Sequence, residues 1–133
     1  MEEAINETTQ RMQSTVFVWG SNDCDTIVAD YVRKLTGRDP MAKWRGKYHD
    51  EAGARAFIEA ANGNGSLIED GLASIGIHPR LIGEPARGDV ALLDIRGEQI
   101  CGLYLGWGFT IAKGLGVNAI QTKIKPVRAW KCV

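Results

Sequence analysis

A cysteine stands between two carboxylates in the stretch VFVWGSNDCDTIVADYVRKLTG, residues 16–37. Behind Cys24 the residues Ile27, Val28, Tyr31, Val32 and Leu35 recur at helical spacing, which predicts a helix with the thiol in its first turn. The free N–H groups and positive dipole end of that turn favour a thiolate, the form that attacks a carbonyl carbon. Asp23 and Asp25 act in the opposite sense, because neighbouring carboxylates disfavour a third negative charge. Cysteine-based hydrolysis also needs a base within hydrogen-bond reach of the sulfur, usually histidine. The chain has two histidines, His49 in KYHDE and His78 before Pro79, both expected in loops outside the sheet. His78 is the first candidate base and His49 the second; each has the plainer reading of a surface loop residue.

Other residues that could carry chemistry read more plainly. Cys101 and Cys132 fall in predicted strands, where a cysteine usually serves as a small buried hydrophobe. Three cysteines at wide spacing, with no metal-ligand pairing, read as free thiols in a reducing compartment. Gly88 and Asp89 read as a turn before a strand rather than a phosphate loop. No P-loop, dinucleotide fingerprint or zinc cluster is present, so no cofactor and no metal is expected. Trp19, Trp44, Trp107 and Trp130 are either core anchors or a ligand platform, with one-sided burial in the core or at a subunit contact as the expectation.

The elements that must position these residues fall into two halves, and a single domain is expected over residues 1–133. Residues 1–14 predict a short helix or arm, with Ile5 and Met12 on a thin apolar stripe. Residues 16–78 form a helical half. Ser21 or Asn22 can cap the Cys24 helix, and Gly37 offers it a left-handed stop. The segment GRDPMAKWRGKYHD reads as a loop, with Lys43, Arg45 and Lys47 solvated on it. A third helix is expected from Glu51 to Ala61, ended by NGNG, and a short fourth helix in SLIEDGLASIG. From residue 86 to 133 the pattern changes to short apolar stretches, GDVALLDI, ICGLYLGWGFTIAK, GVNAIQTKI and VRAWKC, which read as antiparallel strands. Helices first and strands afterwards predict an α+β fold, the helices packed on one side of an antiparallel sheet.

Composition narrows the classes further. Sixteen basic residues balance sixteen acidic ones, so no global field favours nucleic acid or an anionic membrane. The opening MEEAINETTQRMQS is acidic and polar, unlike a secretory leader, and no apolar run approaches a bilayer span of about 20 residues. Synthesis in a cytoplasm without membrane insertion is the expectation.

The order of these motifs resembles a known family. VWGSNDC opening a helix, then RGDVALLD, then CGLYLG, is similar to the NlpC-type branch of the papain-like cysteine peptidases. WGSNDC, LTGRDP and WRGKY more narrowly resemble a group of small phage proteins encoded among tail genes. The resemblance implies a papain-like fold in which Trp19 and Gly20 form the turn before the nucleophile helix. Asp23 and Cys24 match the family's Asp-Cys, while Asp25 departs from the usual small serine. Arg87, Gly88, Asp89 and Val90 match the opening of the next conserved strand. Ile100 then stands where the family's catalytic histidine belongs, with Gly102, Tyr104 and Gly106 in register behind it. The third catalytic position falls near FTIAK, residues 109–113, which holds no His, Asn or Gln.

Three functions follow from these expectations. One is a non-catalytic papain-like module, a structural part of a phage tail tip or baseplate, made in the host cytoplasm and carried in the virion beside other tail proteins. Another is a working cysteine hydrolase cutting peptidoglycan, with Cys24 as nucleophile, backbone N–H groups at the helix start holding the oxyanion, and His78 or His49 as base. The third is a small phage-encoded host-interaction protein. An isoleucine can neither take a proton nor orient a base, so the resemblance favours the first.

Overall fold

The computed structural model describes residues 1–14, 16–81, 84–112, 119–121 and 124–132. Its elements run α1 (Glu2–Ser14), α2 (Cys24–Thr36), α3 (Glu51–Ala60), α4 (Asn64–Ala73), β1 (Val90–Ile95), β2 (Glu98–Tyr104), β3 (Gly108–Thr110), β4 (Ala119–Gln121) and β5 (Arg128–Trp130). The strands form one antiparallel sheet in the order β4-β3-β2-β1-β5. The fold is α+β, four helices before five described strands, as the patterning predicts.

Alternation along the strands sorts side chains into two clusters. Val90, Leu92, Cys101, Leu103, Leu105 and Trp130 face the helices and pack with Ile5, Met12, Ile27, Val28, Tyr31, Val32 and Leu72. Ala91, Leu93, Ile100, Phe109 and Ile111 form a second cluster on the opposite face. In this register the paired Leu92 and Cys101 both face the helices, and the paired Leu93 and Ile100 both face the opposite side. A slip of one residue would exchange the two faces and set each side chain in a space shaped for its neighbour. Truncating a side chain as enclosed as Leu103 to alanine costs about 2–5 kcal/mol.

Several local expectations are corrected. Of the helix and the arm expected for residues 1–14 the helix forms, and its apolar stripe is fuller than read: Ala4, Ile5, Thr8 and Met12 are buried along one face, which packs against α2. The cap of α2 is neither Ser21 nor Asn22 but Asp23, whose carboxylate accepts from the Thr26 N–H. Asn22 is occupied elsewhere, donating to the Val16 carbonyl and accepting from Arg11. Gly37 ends the helix in the left-handed conformation, as expected. NGNG does two things rather than one: Asn62 and Gly63 terminate α3 at positive φ, and Asn64 and Gly65 open α4. The glycine-rich ICGLYLGWGFTIAK breaks into β2 and β3 across a turn at Gly106 and Trp107, and Cys132 lies just past β5 rather than within a strand. Of GVNAIQTKI, residues 116–118 and 122–123 lie outside the described residues.

The matched strand opening is structural. Gly88 has φ +95°, and its carbonyl accepts from the Tyr31 hydroxyl at 2.7 Å. Asp89 is 3% exposed, accepts from the Ala86 N–H and pairs with Arg80, an arrangement that pins the turn to the segment just after His78. The buried Asp89 carboxylate is thus satisfied by a part-exposed guanidinium and a backbone N–H. Gly88 and Asp89 make the turn the sequence predicts, and neither lines the cleft that holds Cys24.

Candidate functional site

The Trp-Gly turn is built backwards from the α2 cap. Asp23 is 2% exposed and its carboxylate accepts from the Gly20 N–H, the Thr26 N–H, the Thr26 hydroxyl and the Tyr48 hydroxyl. Four donors on one buried carboxylate hold together the turn, the helix start and the loop before α3. Gly20 sits at φ +86°, where a Cβ would lie 2.2 Å from the Tyr48 carbonyl oxygen. Only glycine allows that approach. These contacts cost Tyr48 its acidity: burial and the adjoining Asp23 carboxylate push its hydroxyl pKa well up.

Cys24 occupies the first turn of α2, half-buried, and packs against both hydrophobic clusters. Burial raises its pKa well above the ordinary thiol value, and the Asp25 and Asp23 charges raise it further. The Cys101 backbone N–H donates toward the sulfur and acts the other way, without reversing the sum. Burial and the two carboxylates thus act together against a thiolate at Cys24. Its sulfur donates to Asp25 Oδ1 at 3.7 Å. Burial, with Asp23 adding to it, raises the Asp25 carboxyl to about 7.

Asn64, at the start of α4, reaches the same carboxylate. Its amide nitrogen lies 3.5 Å from Asp25 Oδ1 and 3.1 Å from the Gln99 carbonyl. Gln99 in turn accepts from the Gly65 N–H, which ties α4 to β2. Both partners of the Asn64 nitrogen are acceptors, so the orientation of the amide is set by chemistry. Its Oδ1 is left buried without a donor among the described residues.

These groups line a cleft of about 660 Å³ between α2, α3, the start of α4 and the β1–β2 hairpin. Phe17, Trp19, Trp44, Tyr48 and Phe57 supply aromatic walls, and Ile100 and Ala112 border the same space as Cys24. Trp19 meets Phe17 edge-on at 4.8 Å. The tryptophans therefore divide: Trp130 is a core anchor, Trp107 is exposed, and Trp19 and Trp44 are cleft walls.

Neither candidate base reaches the thiol. His49 and His78 are both exposed, and neither lines the cleft. His49 immediately precedes Asp50, the cap of α3, while His78 is held beside β5 by the Pro79–Trp130 bridge and the Arg80 N–H to Ala129 carbonyl bond. Ile100, 5% exposed, lines the same cleft as Cys24 and offers it no proton acceptor. At the third position Phe109, Thr110, Ile111 and Ala112 are all buried, and Lys113 lies outside the described residues. Sequence reasoning missed Asn64 and Tyr48 as members of this site. The Asn-Gly pair was legible as a break between helices, but nothing in it showed that the asparagine turns inward.

Cys24, Cys101 and Cys132 are all free thiols. Arg45 of the expected solvated loop is held by Asp39 and Asp30, leaving Lys43 and Lys47 exposed. Among the described residues, no group of three or more His, Cys, Asp or Glu side chains is placed to hold a metal ion. No helix of the described residues is long and apolar enough to cross a membrane.

Fold and site together define a small α+β domain with a thiol-bearing, aromatic cleft and no histidine at the thiol. Over residues 1–132 the chain matches the family described as Domain of unknown function (DUF6950), and it belongs to that family. No curated protein and no solved structure matches it.

Proposed function

We propose that this domain is a non-catalytic relative of the papain-like cysteine peptidases, which keeps the form of a nucleophile helix and uses its cleft and surfaces for binding. The observation that carries this reading is the pairing of Cys24 with Ile100 and Asp25 in place of a base. A thiol whose pKa is raised, with no imidazole in its cleft, lacks what cysteine hydrolysis requires. Losing the base of such a machine costs orders of magnitude in rate.

The resemblance of WGSNDC, LTGRDP and WRGKY to small phage proteins of tail gene clusters supplies the setting: a structural component of a tail tip or baseplate, in contact with other tail proteins. Four tryptophans in a chain of 133 residues suit protein contacts. The test has two arms. Purified protein and its Cys24→Ala variant are incubated with peptidoglycan, and soluble muropeptides are measured; equal, background release from both is expected. Release by the parent alone would restore the hydrolase reading. Mass spectrometry of purified phage particles should find the chain at fixed stoichiometry, and assembly with Cys24→Ala should match the parent; absence from the particle refutes the tail role.

A further inference from the structure

The cleft beside Cys24 carries an excess of acceptors over donors. Asp23, Asp25, Glu51, Asp94 and Glu98 line it, against the single cation Arg55 among the described residues. That guanidinium is already engaged, 2.9 Å from Glu51 and 3.4 Å from Glu98 at the rim. Asp23 is saturated by its donors and belongs to the scaffold. Asp25 is different. Both of its hydrogen bonds fall on Oδ1, from the Cys24 sulfur and the Asn64 amide, and both are long; Oδ2 accepts none among the described residues.

Asn64 supplies the independent observation. It is 7% exposed and lines the cleft, yet its Oδ1 has no donor among the described residues. A buried acceptor left unmade costs about 1–3 kcal/mol, a cost that an arriving donor removes. The Asp25 carboxylate lines one end of an aromatic-walled cleft, and the enclosed Asn64 Oδ1 lies behind the same lining. They are complementary to a group that donates several hydrogen bonds, accepts none and bears positive charge. An ammonium has those properties, with three donors and no acceptor. Trp19, Trp44 and Phe57 line the same cleft and supply apolar contact for its carbon stem.

We infer that the cleft binds a primary ammonium group on an aliphatic stem, the head seated at Asp25 and Asn64 Oδ1 and the stem between the aromatic walls. The inference goes beyond the non-catalytic reading and does not depend on a phage setting. A lysine side chain of a polypeptide and a free alkyl diamine share this chemistry. Besides Asp25, the groups facing this end are Asp23 and Cys24 of the α2 start, Tyr48 of the preceding loop and Cys101 of β2, with Glu51, Arg55, Asp94 and Glu98 around the rim. The thiols and the phenol hold their protons more tightly than usual, so they stay neutral near pH 7 while Asp25 titrates.

The experiment is a titration of the full chain with hexylamine, hexanol and hexanoate at pH 8, read by tryptophan fluorescence and by backbone amide shifts at Asn64 and Gly65. Saturable binding of hexylamine is expected, at least tenfold tighter than hexanol or hexanoate. Affinity for hexylamine should fall several-fold from pH 8 to pH 6 as Asp25 takes up a proton. Asp25→Asn should weaken binding about tenfold at pH 8 and flatten the pH dependence. The pH series on the parent tests the same point without any variant. Nα-acetyl-lysine methylamide and 1,5-diaminopentane then separate the two sources, and tighter binding of either assigns it. Hexanol binding as well as hexylamine, preference for hexanoate, no saturable binding, or an affinity indifferent to pH would overturn the assignment. The muropeptide assay does not share these outcomes, so this inference and the non-catalytic reading can fail separately.

Discussion

The Cys24 sulfur and the Asp25 carboxylate are hydrogen-bonded neighbours at 3.7 Å, one residue apart at the start of α2. A catalytic cysteine needs a partner that accepts its proton and leaves as a cation. Asp25 instead adds negative charge beside a thiol that burial already keeps protonated. Alkylation of Cys24 at pH 7 should therefore be slow and climb only above the ordinary thiol range. Asp25→Asn removes one opposing charge, so the rate at a fixed pH should rise several-fold. Peptide mass spectrometry across pH 5–10, with Cys101 and Cys132 as internal references, measures both. Rapid alkylation at pH 6 would mean a stabilised thiolate and would sink the retired-nucleophile account.

The same carboxyl ties stability to pH. Its folded value of about 7 lies above the ordinary carboxyl value of 3.8, so the folded state binds this proton more tightly than the unfolded chain. Between those two values unfolding releases a proton, and the contribution of Asp25 to stability falls as pH rises. Above about 7 the loss is complete. Asp25→Asn keeps the acceptor for Asn64 and removes the charge. It should be more stable than the parent by about 1–2 kcal/mol at pH 8, a figure reduced for the side chain's contact with solvent in the cleft, with the difference closing by pH 4. Urea unfolding at those pH values gives the comparison. A variant equal to or weaker than the parent at pH 8 would show that Asp25 is not held against its charge.

The sequence made the architecture legible because its strongest signals are periodic. Ile27 to Leu35 at helical spacing gave α2, and alternation in VALLDI and QICGLY gave two strands whose faces divide as read. The cap was misplaced because Ser21, Asn22 and Asp23 are all good capping types. Only the Tyr48 and Gly20 contacts distinguish the third. The cleft was half legible. Cys24 could be placed at a helix start and Ile100 on a strand, while only the resemblance put the two together. Asn64 and Tyr48 could not, because each enters through a loop or helix start whose course is set by tertiary packing rather than by local periodicity.

Two glycines at similar φ test the Trp-Gly turn. Gly20 at +86° would press a Cβ against the Tyr48 carbonyl at 2.2 Å, whereas Gly37 at +75° has open space around it. Gly37→Ala should cost about 1 kcal/mol, the price of a left-handed alanine alone. Gly20→Ala adds a backbone clash and should cost roughly 1–3 kcal/mol more. Urea denaturation of the two variants provides the contrast. Equal costs would show that the turn yields easily and that the Gly20 approach to Tyr48 is not a fixed feature.

The buried Tyr48–Asp23 bond sets how firmly the cleft is held open. The Tyr48 hydroxyl is one of four donors on Asp23 and joins the α3 side of the cleft to the α2 start. Tyr48→Phe keeps the ring between Met41, Ala54 and Phe57 and deletes that donor alone, for an expected loss of about 1.5–3 kcal/mol, since the acceptor is charged. Asp23→Ala also removes the helix cap and the Gly20 contact, and a larger loss of about 3–5 kcal/mol is expected. In the double variant the two losses should fall short of their sum by at least 1 kcal/mol, because both single changes break one shared bond. Strict additivity in a urea-unfolding cycle would show that Tyr48 stabilises the cleft through ring packing, with its hydroxyl indifferent to Asp23.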